Sequence, residues 1–136
     1  MKKIAIILFT LLSLSSIAQN KTNEVDSLYA ILNKAKNPSE KFNAWKELIE
    51  YYSYRGQADS NWYAAEQLIN LATISQNDSL LSTAYVHLGG YFANAGDFQQ
   101  SLEYKFKSLA YAEKANNPSC IWLAIKEIGV DFKLLK

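Results

Sequence analysis

One short punctuation mark recurs three times at a spacing of forty residues: Asn37-Pro38-Ser39, Asn77-Asp78-Ser79 and Asn117-Pro118-Ser119. A fixed period of roughly 20 to 50 residues marks an array in which one supersecondary unit is stacked repeatedly. Each unit then buries its apolar face only against its neighbours. The same offset superposes Leu48 on Leu88 and Ile128, Tyr52 on Phe92 and Phe132, Gly56 on Gly96, and Trp45 on Tyr85 and Ile125. Apolar residues therefore stay in register from unit to unit, which restricts the chain to a translationally repeated fold.

Inside a unit the apolar spacing is helical. Trp45, Leu48, Ile49 and Tyr52 fall at i, i+3, i+4 and i+7, as do Tyr85, Leu88, Gly89 and Phe92, which places each set on one face of a helix. Ser39, Ser79 and Ser119 read as N-caps of these first helices. Arg55-Gly56-Gln57 and Ala95-Gly96-Asp97 then interrupt the pattern with a glycine suited to the left-handed end of a helix, and Asp97 is placed to cap the next one. Second helices are predicted over 60–75 and 98–116. Earlier, residues 24–36 carry Val25, Leu28, Ile31, Leu32 and Ala35, with Leu28 and Ile31 aligned forty residues ahead of Leu68 and Leu71. The organisation read from these marks is a half unit at 24–36, units at 39–76 and 79–116, and an incomplete unit at 119–136. With no alternating strand pattern, the fold class is all-α: a helix-turn-helix repeat solenoid of about two full units plus a half unit at each end.

The amino terminus reads separately. Met1-Lys2-Lys3 is positive, Ile4 to Ile17 is uncharged and apolar, and Ser15-Ser16-Ile17-Ala18 supplies small residues. This is the pattern of a secretory signal peptide over 1–18, cleaved near Ala18. The apolar run is too short for a membrane anchor, which needs about 20 residues. The expectation is an exported domain over 19–136, periplasmic or secreted, from a bacterium. No cysteine follows the run to take a lipid.

Composition excludes several classes of function. Fourteen basic residues stand against thirteen acidic ones, and Lys2 and Lys3 leave with the signal peptide, so no electrostatic footprint for nucleic acid or an anionic membrane remains. One Cys and one His rule out a disulfide framework and argue against a metal centre; no cofactor is expected. A hydrolase or transferase gathers a nucleophile, a base and a charge stabiliser in one pocket. His87 is the only neutral-pH base and lies between core positions, where it reads as a partly exposed helical residue. Cys120 follows a helix start, where the dipole favours reactivity, but it reads more readily as a small half-buried residue. Gly89-Gly90 lies mid-helix, so a phosphate-cradling loop is not supported. The chain is read as non-catalytic.

The stretch from Ala84 to Tyr104 resembles a tetratricopeptide repeat (TPR). Tyr85, Leu88, Gly89 and Phe92 occupy the family's large, Leu-Gly and aromatic slots in the first helix, Gly96, Asp97 and Phe98 its turn, and Ser101 and Leu102 its second helix. Ile128-Gly129 with Phe132 repeats part of the motif. Departures are Lys105 where the second helix should carry an aromatic, Ile49 where glycine is usual, and Asn61 where a small residue is usual. The resemblance implies that Gly89 lets two helices approach closely, and that the helix pairs wind into a right-handed superhelix. It also implies that the concave face, lined by first helices, binds a peptide or partner protein. The lining implied is Asn43, Lys46, Glu50, Ser53 and Tyr54, then Thr83, Val86, Gly90, Ala93 and Asn94, then Leu123, Lys126, Val130, Lys133 and Leu134. Lys46 and Lys126 are followed one turn later by Glu50 and Val130 rather than Asn, which speaks against a receptor for carboxylate tails. Two readings follow: a non-catalytic interaction scaffold, or the amino-terminal sensory part of a longer bacterial signalling protein such as a repeat-containing histidine kinase or transcriptional regulator. The apolar stretch from Ile121 to Leu135 is unlike a polar terminal cap, so self-association through it is also expected.

Overall fold

The computed structural model describes residues 24–136. Six helices follow one another, with no strand among the described residues. They are α1 (24–34), α2 (Pro38–Tyr54), α3 (Ala58–Ile74), α4 (Asp78–Asn94), α5 (Phe98–Lys114) and α6 (Pro118–Leu134). The forty-residue period holds at the helix boundaries themselves: α2, α4 and α6 start at 38, 78 and 118, and α3 and α5 at 58 and 98.

Local chemistry sets those boundaries. The caps of the first helices are Asn37, Asn77 and Asn117, whose side chains accept the N–H of Ser39, Leu80, and both Ser119 and Cys120, at 2.8 to 3.3 Å. This corrects the expectation that serine caps them. Asn takes the extended capping conformation as readily as Ser, and Pro38 and Pro118 stand at the first helical position, where a missing N–H costs nothing. Asp97 does cap α5, accepting from the Gln100 N–H at 3.0 Å. Gly56 and Gly96 have φ of +64° and +82°. Each is followed by a residue whose N–H reaches back to the carbonyl of Tyr52 or Phe92, while the glycine N–H bonds that of Ser53 or Ala93. This pair of hydrogen bonds satisfies carbonyls that the helix end leaves orphaned. Gln76 and Asn116 make the same closure with φ of +48°, so the turns without glycine have the same form. The second helix of the first pair starts at Ala58, two residues before the predicted Ser60.

From α2 onward each helix packs against the next, and α4 also touches α2 and α6, while α1 meets α2 through Tyr29, edge-on to Trp45 and hydrogen-bonded to the Tyr52 hydroxyl. The core joins Leu28, Phe42, Leu48, Ile49, Leu68, Leu81 and Leu88 with fully buried Ala64, Ala65, Ala72 and Ala84. Small residues at the crossings bring the backbones close, while each buried leucine contributes about 1.5–3 kcal/mol of transfer free energy. Gly89 takes this furthest: a Cβ there would lie 2.8 Å from Lys105 Cγ and 3.0 Å from the Ser101 carbonyl oxygen. Aromatic rings seal the α4–α5 contact on one side, with Tyr85 stacked on Tyr104 and Tyr111, and Phe92 stacked on Tyr104 and edge-on to Trp62.

Candidate groove between the first helices

The forty-residue register places like-numbered turns of α2, α4 and α6 side by side, and the space along them is an open groove of about 830 Å³. Of the residues implied by the resemblance, the groove gathers Lys46, Glu50, Ser53 and Tyr54 from α2. From α4 it gathers Thr83, Val86, Gly90, Ala93 and Asn94, and from α6 Leu123, Val130 and Leu134. Asn43, Lys126 and Lys133 are exposed and do not line it. Lys126 instead extends to Glu127 at 3.1 Å and lies over the Trp122 ring at 5.7 Å. Ile49, Asn61, His87, Tyr91, Lys105, Glu127 and Asp131 also line the groove, and the sequence had not placed them there. Gly90 sits in its middle, and a Cβ there would meet no atom within 4 Å.

The groove's floor contains a buried ion pair. Lys105 of α5 and Asp131 of α6 are 1% and 0% exposed, with Lys105 Nζ donating to Asp131 Oδ1 at 2.6 Å. The other carboxylate oxygen accepts from Ser101 Oγ at 2.5 Å, and Lys105 Nζ also donates to the Glu127 carbonyl at 3.3 Å. Both charges are hydrogen-bonded as well as paired, which is the condition under which buried charges are tolerated. This explains the departure at Lys105: the slot for an aromatic is occupied by a lysine whose charge α6 neutralises, and neighbouring Phe106 points outward, half exposed. Asn61, also departing from the usual small residue, is buried with its Oδ1 unpartnered.

His87 faces the groove with its imidazole held well below the usual range, at about 4, first by burial and then by the Lys46 charge, with Glu127 opposing. It is neutral at pH 7. The unfolded chain binds this proton near pH 6.5, so acidification from about 6.5 to 4 favours the unfolded state, and below that the penalty is constant. His87→Gln is expected to flatten the stability profile across that window by a few kcal/mol, on the order of 1.4 per pH unit. Equal profiles for variant and parent in urea melts at pH 7 and pH 4.5 would contradict this.

The groove presents a continuous surface for contact. It offers a mixed lining of opposite charges, amides, hydroxyls and apolar patches along three parallel turns, and no group of three potential metal ligands occurs among the described residues. Cys120 is half buried at the start of α6, its Sγ 3.9 Å from the Ser79 carbonyl oxygen. No described helix is long and apolar enough to cross a membrane.

Comparison with known proteins yields a match to the family model described as the SusR N-terminal TPR domain, over residues 13–115. That span covers most of the chain and runs through α1 to α5. No curated protein and no solved structure matches.

Proposed function

The chain belongs to the SusR N-terminal TPR domain family, and from that membership we propose that it acts as a non-catalytic scaffold holding a peptide or partner protein in the groove between α2, α4 and α6. TPR domains are typically interaction modules, and the observation that carries the finer reading is the groove itself. It runs across three helices in register and carries both donors and acceptors for an extended chain. Partner capture by the full chain, compared with Gly90→Arg, tests it. The new side chain enters open space and gains helix propensity of up to about 1 kcal/mol, so the variant stays folded while the groove is filled. A partner held by the parent and lost by the variant is the expected result. A partner held equally by both would remove the groove from the account.

The family's description favours the second reading as well, because it is that of an amino-terminal domain. In that reading the repeats are the sensory part of a longer signalling protein, and the test is whether the reading frame continues into an apolar span of about 20 residues and an output domain. Export belongs to both readings. The leader at 1–18 lies outside the described residues, and the protein recovered from cells is expected to begin at Gln19; recovery with Met1 in place would contradict export by cleavage.

A further inference from the structure

Four residues of α4 hold α5. Ser82 Oγ bonds Ser108 Oγ at 3.1 Å, Tyr85 and Phe92 stack on tyrosines of α5, and Gly89 admits Lys105 and Ser101. Forty residues on, their α6 counterparts are Trp122, Ile125, Phe132 and Gly129. The first three are 65%, 54% and 50% exposed, and a Cβ on Gly129 would meet nothing within 4 Å. A glycine inside a helix costs about 1 kcal/mol relative to alanine; at Gly89 the close approach of α5 explains it, and at Gly129 no described atom does. This face of α6 is therefore shaped for a helix in the register of α3 and α5, and among the described residues none covers it.

The same register identifies a helix of the right kind at the other end. α1 ends at 34, as α3 ends at 74 and α5 at 114, so it is a second helix, and no described first helix precedes it. Its residues equivalent to Lys105, Ser108 and Tyr111 of α5 are Val25, Leu28 and Ile31; Leu28 is buried in the chain's own core and Val25 is half buried against it, which leaves Ile31 as the exposed member. Ile31 is 42% exposed and lines an open groove with Ala30, Lys34 and Glu40. Packed as α5 packs on α4, α1 of a second copy would set Val25 beside Gly129 and Ile31 beside Ile125. Consecutive helices of a pair run antiparallel, so the start of α1, with Glu24 and Asp26, would meet the end of α6, with Lys133 and Lys136. The charges are complementary there, which favours this orientation.

We propose that copies of this chain associate head to tail, α1 of one packing on the exposed face of α6 of another. Such a contact joins two different surfaces, so it does not close on itself and extends into open chains or a ring. Sedimentation of the full chain as purified from cells is expected to show a weight-average mass that rises with concentration past that of a dimer. Ile31→Glu and Ile125→Glu alter exposed positions at opposite ends, and circular dichroism verifies that both stay helical. Each alone is expected to be monomeric, because one end is blocked. Mixed one to one, they are expected to form a complex of two chains and no larger, since the intact α6 of one meets the intact α1 of the other. A parent that stays monomeric at all concentrations would overturn the proposal. So would an Ile31→Glu chain that associates like the parent, which would indicate pairing of α6 with α6.

Discussion

Asp131→Ala is expected to destabilise the fold by about 3–5 kcal/mol, the usual cost of leaving one member of a buried ion pair without its partner. Lys105 has almost no access to water, and its ammonium would keep only the Glu127 carbonyl at 3.3 Å and the Glu127 carboxylate at 3.9 Å. Ser101 would lose its acceptor as well. The loss is read as a lower urea midpoint at unchanged slope. Lys105→Met combined with Asp131→Leu is expected to recover most of it, because apolar replacement of both partners avoids the desolvation that either single change leaves uncompensated. A single variant within about 0.5 kcal/mol of the parent, the range of an ordinary surface change, would show that the pair is hydrated. The pair ties α5 to α6 beneath the groove, so its loss is also expected to loosen the α6 side of the lining.

Gly89→Val and Gly129→Ala are expected to move stability in opposite directions although they occupy equivalent positions forty residues apart. A Cβ at 89 falls within contact distance of a backbone carbonyl and of a lysine stem whose far end is fixed by Asp131. Neither neighbour gives way, and overpacking of this kind costs about 1–3 kcal/mol. At 129 the Cβ enters open space, and the helix gains about 1 kcal/mol from losing a glycine. Thermal or urea melts of the two variants, at dilutions where the chain is monomeric, test the pair, and equal signs would contradict the close helix approach at α4 and α5.

The all-α repeat was legible because the period is written in residues whose local chemistry is nearly independent of tertiary context. Gly56 and Gly96 end helices through positive φ, Asp97 caps through its own side chain, and the stripe of Tyr85, Leu88 and Phe92 follows helical spacing alone. The choice between Asn37 and Ser39 as cap was misread because both residue types suit the position; Pro38 immediately after the asparagine is the signal that decides it. The groove was legible only in part. Register alone predicts which turns of α2, α4 and α6 adjoin, and most of the implied lining is brought together. It does not fix where a long side chain goes, and Lys126 turns to Glu127 and Trp122 instead. The Lys105–Asp131 pair was not legible, since its members lie on different helices and meet only through the packing of α5 on α6. A lysine standing in an aromatic slot was the one trace of it.

Whether a partner lies along the groove of the first helices is read by cross-linking from position 90. A photoreactive side chain at Gly90 enters open space within the groove, and one at Asn70 of α3 sits on a different surface, in the cleft between α3 and α5. In cells, one partner species is expected to be cross-linked from position 90 and to be absent from position 70. The same species captured from position 70 and not from position 90 would contradict this.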